Sequence, residues 1–274
     1  MARRSRQPVL PNAPRAALKV DPLRIKVVVP SHDFVIAEFS YCLASLCAHT
    51  VGVMLANDIP GDFGLGSVTG TYIHTARQDA LQAALDENVT HLLWVDSDMA
   101  FPKDALIRLL KHNRPFVGIN YSSRGLPPVY VAIKESEPGT KCPTTAASTG
   151  LEEVEAIGFG LALMDLRRIR PLLWEQPWFD YRYLPKSKNW VGEDVYFCRM
   201  LRAAGIPALV DHDLSKDCAH IGLFKYKLDH VAAWGVTDGA SDHELRNATV
   251  AGPEPIEPAG PDGGTAGVDS VSGS

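Results

Sequence analysis

The sequence predicts an α/β protein whose mostly parallel sheet carries helices on both faces and is followed by a disordered tail. Three observations carry that expectation. Short apolar runs too continuous for half-exposed strands recur along the chain, and segments of helical period lie between them. Residues 235–274 are Gly, Pro, Ser, Thr and acids, with too little to bury to offset the entropy of ordering them.

The elements follow in order. Residues 25–30 (IKVVVP) form the first buried strand, and residues 37–49 follow with Phe39, Leu43 and Leu46 at helical spacing. Residues 75–88 set Ala76, Ala80 and Ala84 beside Leu81 and Leu85, a second helix. His91–Val95 (HLLWV) is the clearest buried strand and stops at Asp96. Pro102 suits the first turn of a helix ending near Asn113. Residues 116–121 return as a strand, and residues 154–165 (VEAIGFGLALMD) read as one long strand bent or bulged at its glycines. Residues 193–204 are helical, with Gly205 placed to end the helix, and Ala208–Asp211 closes the series as a strand. Such alternation implies helices over both faces of a parallel sheet, with ligands collecting at the carboxyl ends of its strands.

Charge divides the chain into three expected parts. Residues 1–24 are a basic arm with six Lys/Arg against one Asp, 25–234 a mildly acidic body, and 235–274 an acidic tail with seven Asp/Glu against one Arg. An acidic body argues against tight, non-specific nucleic-acid binding, which draws its energy from clustered cations displacing counterions. No run of eighteen or more apolar residues occurs, so no transmembrane segment is expected. The five cysteines are odd in number and show no CxxC spacing, which fits reduced thiols in a cytoplasmic protein.

Chemistry concentrates after HLLWV. Asp96-Ser97-Asp98 places two carboxylates one residue apart beyond a buried strand, a costly arrangement unless something positive sits between them. A hard cation, Mn²⁺ or Mg²⁺, suits such oxygen ligands and takes phosphate oxygens to complete its shell. The structural alternative is an acidic turn capping the next helix. Segment 211–222 (DHDLSKDCAHIG) offers His212, Asp213, Asp217, Cys218 and His220. Cys218 with His220 hints at zinc, but no second ligand pair stands at finger-like spacing. On local grounds His220 is a hydrogen-bonded structural histidine before it is a ligand. Arg77 is either a diphosphate partner or an exposed helix arginine. Glu193 and Asp194 open a helix, where the dipole favours acids, or else one of them is a general base. Trp190 is a sugar-stacking platform or a loop anchor.

Taken together, segments KVVVPSH (26–32), TARQDAL (75–81), HLLWVDSDMAFP (91–102), GEDVYFCRMLRAAG (192–205) and AHIG (219–222) resemble GT-A-type glycosyltransferases, particularly family-2-like enzymes and their bacterial and phage relatives. The likeness spans residues 25–230 and implies a GT-A, Rossmann-like sheet and a metal-dependent transfer of sugar from a nucleoside-diphosphate sugar, UDP- or GDP-linked, to an acceptor hydroxyl. It implies that Pro30, Ser31 and His32 line the nucleotide pocket, with Ser97 beside them, and that Arg77 contacts the diphosphate. Asp96 and Asp98 become metal ligands, completed by His220, and Asp194 beside Glu193 becomes the base or an acceptor-positioning acid. Trp190, Gly192, Phe159 and Gly160 fall on the acceptor side. Gln78 departs from the pattern, where relatives often carry Asn. A hydroxymethylated DNA base is the alternative acceptor. A sugar nucleotidyltransferase is disfavoured because PSHDF (30–34) replaces a Gly-rich phosphate loop, and a non-catalytic binding module because both acidic pairs are present.

Overall fold

A computed structural model describes residues 22–31, 34–70, 72–124, 128–135, 140–173, 175–185 and 189–222. His32, the basic arm before residue 22 and the acidic tail lie outside the described residues. In chain order the strands are β1 (Leu23–Ser31), β2 (Gly61–Thr69), β3 (His91–Val95), β4 (Met99–Ala100), β5 (Phe116–Gly118), β6 (Ile133–Glu135), β7 (Thr140–Lys141), β8 (Leu151–Val154), β9 (Leu161–Asp165), β10 (Arg182–Leu184), β11 (Asn189–Val191), β12 (Ala208–Asp211) and β13 (Ala219–His220). The helices are α1 (Ala37–Ala56), α2 (Ile73–Asp86), α3 (Ala105–Lys111), α4 (Leu166–Ile169), α5 (Glu193–Ala203) and α6 (His212–Ser215).

Seven strands form the central sheet in the order β2-β1-β3-β9-β5-β12-β8. β1, β2, β3, β5 and β12 run one way, whereas β8 and β9 run against them. The sheet is therefore mostly parallel, and the starts of β8 and β9 join the carboxyl ends of the other strands at one edge. Side chains alternate through it. Leu92 and Trp94 of β3 enter a core layer with α2 and α5, while Leu93 and Val95 enter a second layer with α1 and α3. Both faces are covered, which is why HLLWV reads as a continuous apolar run.

Three expectations need correction. Residues 154–165 are not one bent strand: β8 pairs with β12 at the sheet's end, whereas β9 lies between β3 and β5 at its centre. The intervening glycines answer to a close neighbour, because a Cβ on Gly158 would overlap the Tyr121 hydroxyl and one on Gly160 would lie 2.8 Å from the Tyr121 ring. Second, β2 (GDFGLGSVT) had no expected strand, since three glycines dilute its pattern, yet it pairs in register with all of β1. Third, α1 runs to Ala56 rather than to residue 49, and over these 20 residues it is long and apolar enough, by length and composition only, to cross a membrane, with a mean hydropathy of 1.5. Isolated Ser, Thr and His residues interrupt its apolar run, so no unbroken apolar stretch marks it. Its Phe39, Leu46, Thr50 and Met54 are buried, while Tyr41 and Leu55 stand 76% and 74% exposed.

The described residues separate into two units, the first holding those within 22–122 and 130–221 and the second residues 123, 124, 128, 129 and 222. In the second, the Ser123 N–H donates to the Val129 carbonyl at 2.8 Å. The site described next belongs to the first.

Candidate active site

The acidic loop leaves β3 at the carboxyl edge of the sheet. Asp96 is pinned at the start of β9, its N–H donating to the Gly160 carbonyl at 3.1 Å. Three residues later β4 begins, and β13 pairs with it antiparallel, setting His220 opposite Met99. The Ile221 N–H donates to the Asp98 carbonyl at 2.7 Å. This short ladder places His220 Nε2 3.3 Å from Asp98 Oδ2. His220 Nδ1 lies 2.9 Å from the Ser122 carbonyl, which can only accept, so Nδ1 carries a proton and Nε2 is the nitrogen that faces Asp98. The side chains of Asp98 and His220 are 21% and 15% exposed. Carboxylate oxygen, imidazole nitrogen and a half-open setting fit a divalent cation.

Arg77 is not an exposed helix residue. It is 4% exposed, with Nη2 2.9 Å from Asp96 Oδ1 and Nη1 3.2 Å from Glu193 Oε1. The second approach is too oblique for a hydrogen bond, and Nε has no hydrogen-bond partner among the described residues. The guanidinium lies 4.9 Å over the Phe159 ring. Burial works against its charge, but Asp96, Glu193 and Asp194 more than reverse this and hold it cationic. Arg77 thus lies beneath the acids as their counter-ion and ties the start of α5 to the end of β3.

At α5 the helix start favours acids through its dipole. Glu193 is buried, and burial together with the nearby Glu193 carboxylate pushes the Tyr181 hydroxyl up to about 12. Asp194 Oδ1 accepts from the Val195 N–H at 2.7 Å. Burial and the neighbouring Glu193 raise the Asp194 carboxyl to about 6, against the pull of Arg77. Burial likewise raises Asp96. Gly192 leaves Asp194 room, because a Cβ there would lie 2.9 Å from Asp194 Oδ1.

Beside the acidic loop a cavity of about 400 Å³ is lined by Pro30, Ser31 and Ser97, together with Tyr72, His74 and Tyr181. The first three were expected there from sequence. The aromatic residues were not, since neither their spacing nor their neighbours mark them, and only α2 and residues 180–182 meeting in space brings them together. His74 and Tyr181 meet edge to face at 5.3 Å. Two expected acceptor-side residues are placed elsewhere. Phe159 is 1% exposed, buried among Trp94, Phe116, Phe179 and Phe197, and Gly160 is buried under Tyr121, whose hydroxyl accepts its N–H at 3.2 Å. Both are scaffold. Trp190 is 65% exposed and pairs with Tyr183 at 5.3 Å on the β10–β11 hairpin that leads into Gly192. Gln78 Oε1 accepts from the Trp178 N–H at 2.8 Å and so ties that loop to α2.

No protein-family model matches the chain, and no curated protein matches it. Similar solved structures include A197 from STIV, 14% identical with a TM-score of 0.42, covering 75% of this chain and 97% of that one. GalNAc-T7 with UDP, GalNAc and Mn²⁺ is 11% identical with a TM-score of 0.43, covering 78% of this chain and 48% of that one, so the chain spans about half the length of that relative. A glycosyltransferase involved in glycosylation of the major capsid of PBCV-1 is 15% identical with a TM-score of 0.27, covering 57% and 68%. With every one of these TM-scores below 0.5, what the site does rests on its own geometry.

Proposed function

We propose that the protein is a metal-dependent glycosyltransferase that uses a nucleoside-diphosphate sugar as donor. The observation that carries this is the Asp98–His220 pair, 3.3 Å apart at the carboxyl edge of the sheet, next to a cavity whose lining suits a nucleoside. Asp98 Oδ2 and His220 Nε2 would hold Mn²⁺ or Mg²⁺, with Asp96 beside them. A bound divalent cation neutralises the negative charge that a diphosphate accumulates as it leaves.

The chain's own residues do the rest. Tyr72, His74 and Tyr181 offer flat faces to a base, and the Ser31 and Ser97 hydroxyls offer hydrogen bonds to a ribose. Arg77 is a positioning residue: it pairs with Asp96 and Glu193 and holds them in place rather than gripping the donor itself. Asp194 receives the proton of the acceptor hydroxyl as its oxygen attacks the anomeric carbon. The bond from that carbon to the phosphate oxygen breaks, and its electron pair leaves with the diphosphate. Trp190 and Tyr183 provide an apolar face on which an acceptor sugar would stack.

Thermal shift with UDP-, GDP-, ADP- and TDP-sugars tests the reading, each with Mn²⁺ and with EDTA. One donor is expected to stabilise the wild-type chain with Mn²⁺ only, and Asp98→Ala is expected to lose that response while keeping its own melting temperature. An Asp98→Ala chain that responds like wild type would remove Asp98 from the site and the proposal with it.

A further inference from the structure

Away from the acidic loop, at the other end of the sheet's carboxyl edge, three metal-ligating side chains from distant parts of the sequence meet. Cys142 follows β7, Glu152 lies on β8, and His212 follows β12, and their Sγ, carboxylate oxygen and imidazole nitrogen all lie within 4.8 Å of one another. His212 Nε2 is 3.0 Å from Glu152 Oε2. Cys142 is 0% and His212 2% exposed. The function proposed above uses none of the three.

The surroundings are built as a metal site requires. His212 Nδ1 lies 2.9 Å from Thr144 Oγ1, which fixes the ring and directs Nε2 toward Glu152. Thr144 is itself held, its Oγ1 accepting from Asn120 Nδ2 at 3.0 Å, and Asn120 is fixed by the Ala132 N–H and the Cys142 carbonyl. Thr144 Oγ1 keeps a second lone pair for the Nδ1 proton once Nε2 turns its own lone pair to a cation. Lys134 takes Glu152 Oε1 at 2.7 Å, which leaves Oε2 as the oxygen facing His212. Ligand bonds of ~2.0–2.3 Å in a tetrahedron separate donor atoms by about 3.3–3.8 Å, so the 3.0 Å His212–Glu152 spacing requires only a slight opening.

The geometry points to a Zn²⁺ site formed by Cys142 Sγ, Glu152 Oε2 and His212 Nε2, with water in the fourth position, which ties the 140–144 segment and edge strand β8 to the end of β12. Its donor set is softer than that of Asp98 and His220. Sulfur with imidazole selects zinc over Mn²⁺ and Mg²⁺, so the chain would hold two different metals at two addresses.

The test uses the full chain stripped with EDTA, with Co²⁺ as the spectroscopic probe and Zn²⁺ as competitor. The expected result is a thiolate-to-cobalt charge-transfer band that one equivalent of Zn²⁺ removes. The band should vanish in Cys142→Ser, and Zn²⁺ affinity should fall at least roughly tenfold in Glu152→Gln, the lower bound even for outer-shell changes. Glu152 is partly exposed, so its variant keeps the test valid if Cys142→Ser fails to fold. Asp98→Ala should keep the band, which separates this site from the proposed catalytic one. Absence of the band in the wild-type chain, or its persistence in Cys142→Ser, would overturn the assignment. Unchanged Zn²⁺ affinity in Glu152→Gln would do the same.

Discussion

At Arg77, burial and ion pairing act in opposite directions. A guanidinium 4% exposed would be unstable alone, and three carboxylates around it would repel one another without it. The same crowding sets the chemistry of Asp194, whose pKa is raised to about 6 first by burial and then by Glu193. A base works only when deprotonated, so turnover should rise as pH climbs through about 6 and level off above it. Asp194→Asn should lose that acidic limb together with a roughly 10²–10⁴-fold loss of turnover, read from a pH–rate profile. The stability sign is opposite. A carboxyl raised from 3.8 to about 6 on folding contributes its full stability below 3.8 and loses it as pH rises through 6. The neutral Asn variant should therefore melt no lower than wild type at pH 7. A lower melting point with an unchanged pH profile would show that Asp194 is structural.

At the scale of elements, the site depends on one of the smallest ladders in the protein. β4 and β13 have two residues each, yet their pairing and the Ile221-to-Asp98 hydrogen bond bring His220 to Asp98. Proline has no N–H, so Ile221→Pro deletes that bond, whereas Ile221→Ala keeps it. One net hydrogen bond is worth ~0.5–1.5 kcal/mol, so Ile221→Pro should weaken Mn²⁺-dependent donor binding about two- to tenfold or more, measured by calorimetry. Equal binding in the Pro and Ala variants would mean that the ladder does not set the ligand spacing. Elements also show how far pattern reading reaches. β3 and β12 match their expected bounds because apolar runs ending at acids mark them. Gly205 ends α5 at φ +87°, a conformation glycine adopts without the Cβ penalty. β2 escaped because its strand character comes from nine pairings with β1 rather than from its own glycine-rich sequence.

Across the whole molecule, the acids stand on an aromatic floor. Trp94, Phe116, Phe159, Phe179 and Phe197 interlock, with Phe179 and Phe197 stacked at 4.7 Å and Phe159 supporting Arg77. Phe197→Ala opens a cavity in that floor and should cost ~3–5 kcal/mol. For a domain of this size that lowers the melting temperature by roughly 6–20 °C. A drop of only a degree or two, with donor binding intact, would show that the floor relaxes around the gap.

What the sequence by itself determined is whatever local chemistry dictates: buried strands from unbroken apolar runs, helix ends from glycine and acids, and an acidic loop placed at a strand's carboxyl end. The GT-A resemblance also singled out Asp98 and His220. Tertiary structure decided which of these groups touch. It buried Arg77 under the acids, moved Phe159 and Gly160 into the scaffold, and assembled Tyr72, His74 and Tyr181 around a cavity. It also paired His212 with Glu152, 60 residues away, and with Cys142, rather than leaving its chemistry to nearby Cys218 and His220. The physical reason is that periodicity and capping act over one turn or one pleat. Ion pairs and metal-ligand geometry act across space, between residues whose separation along the chain carries no signal of their meeting.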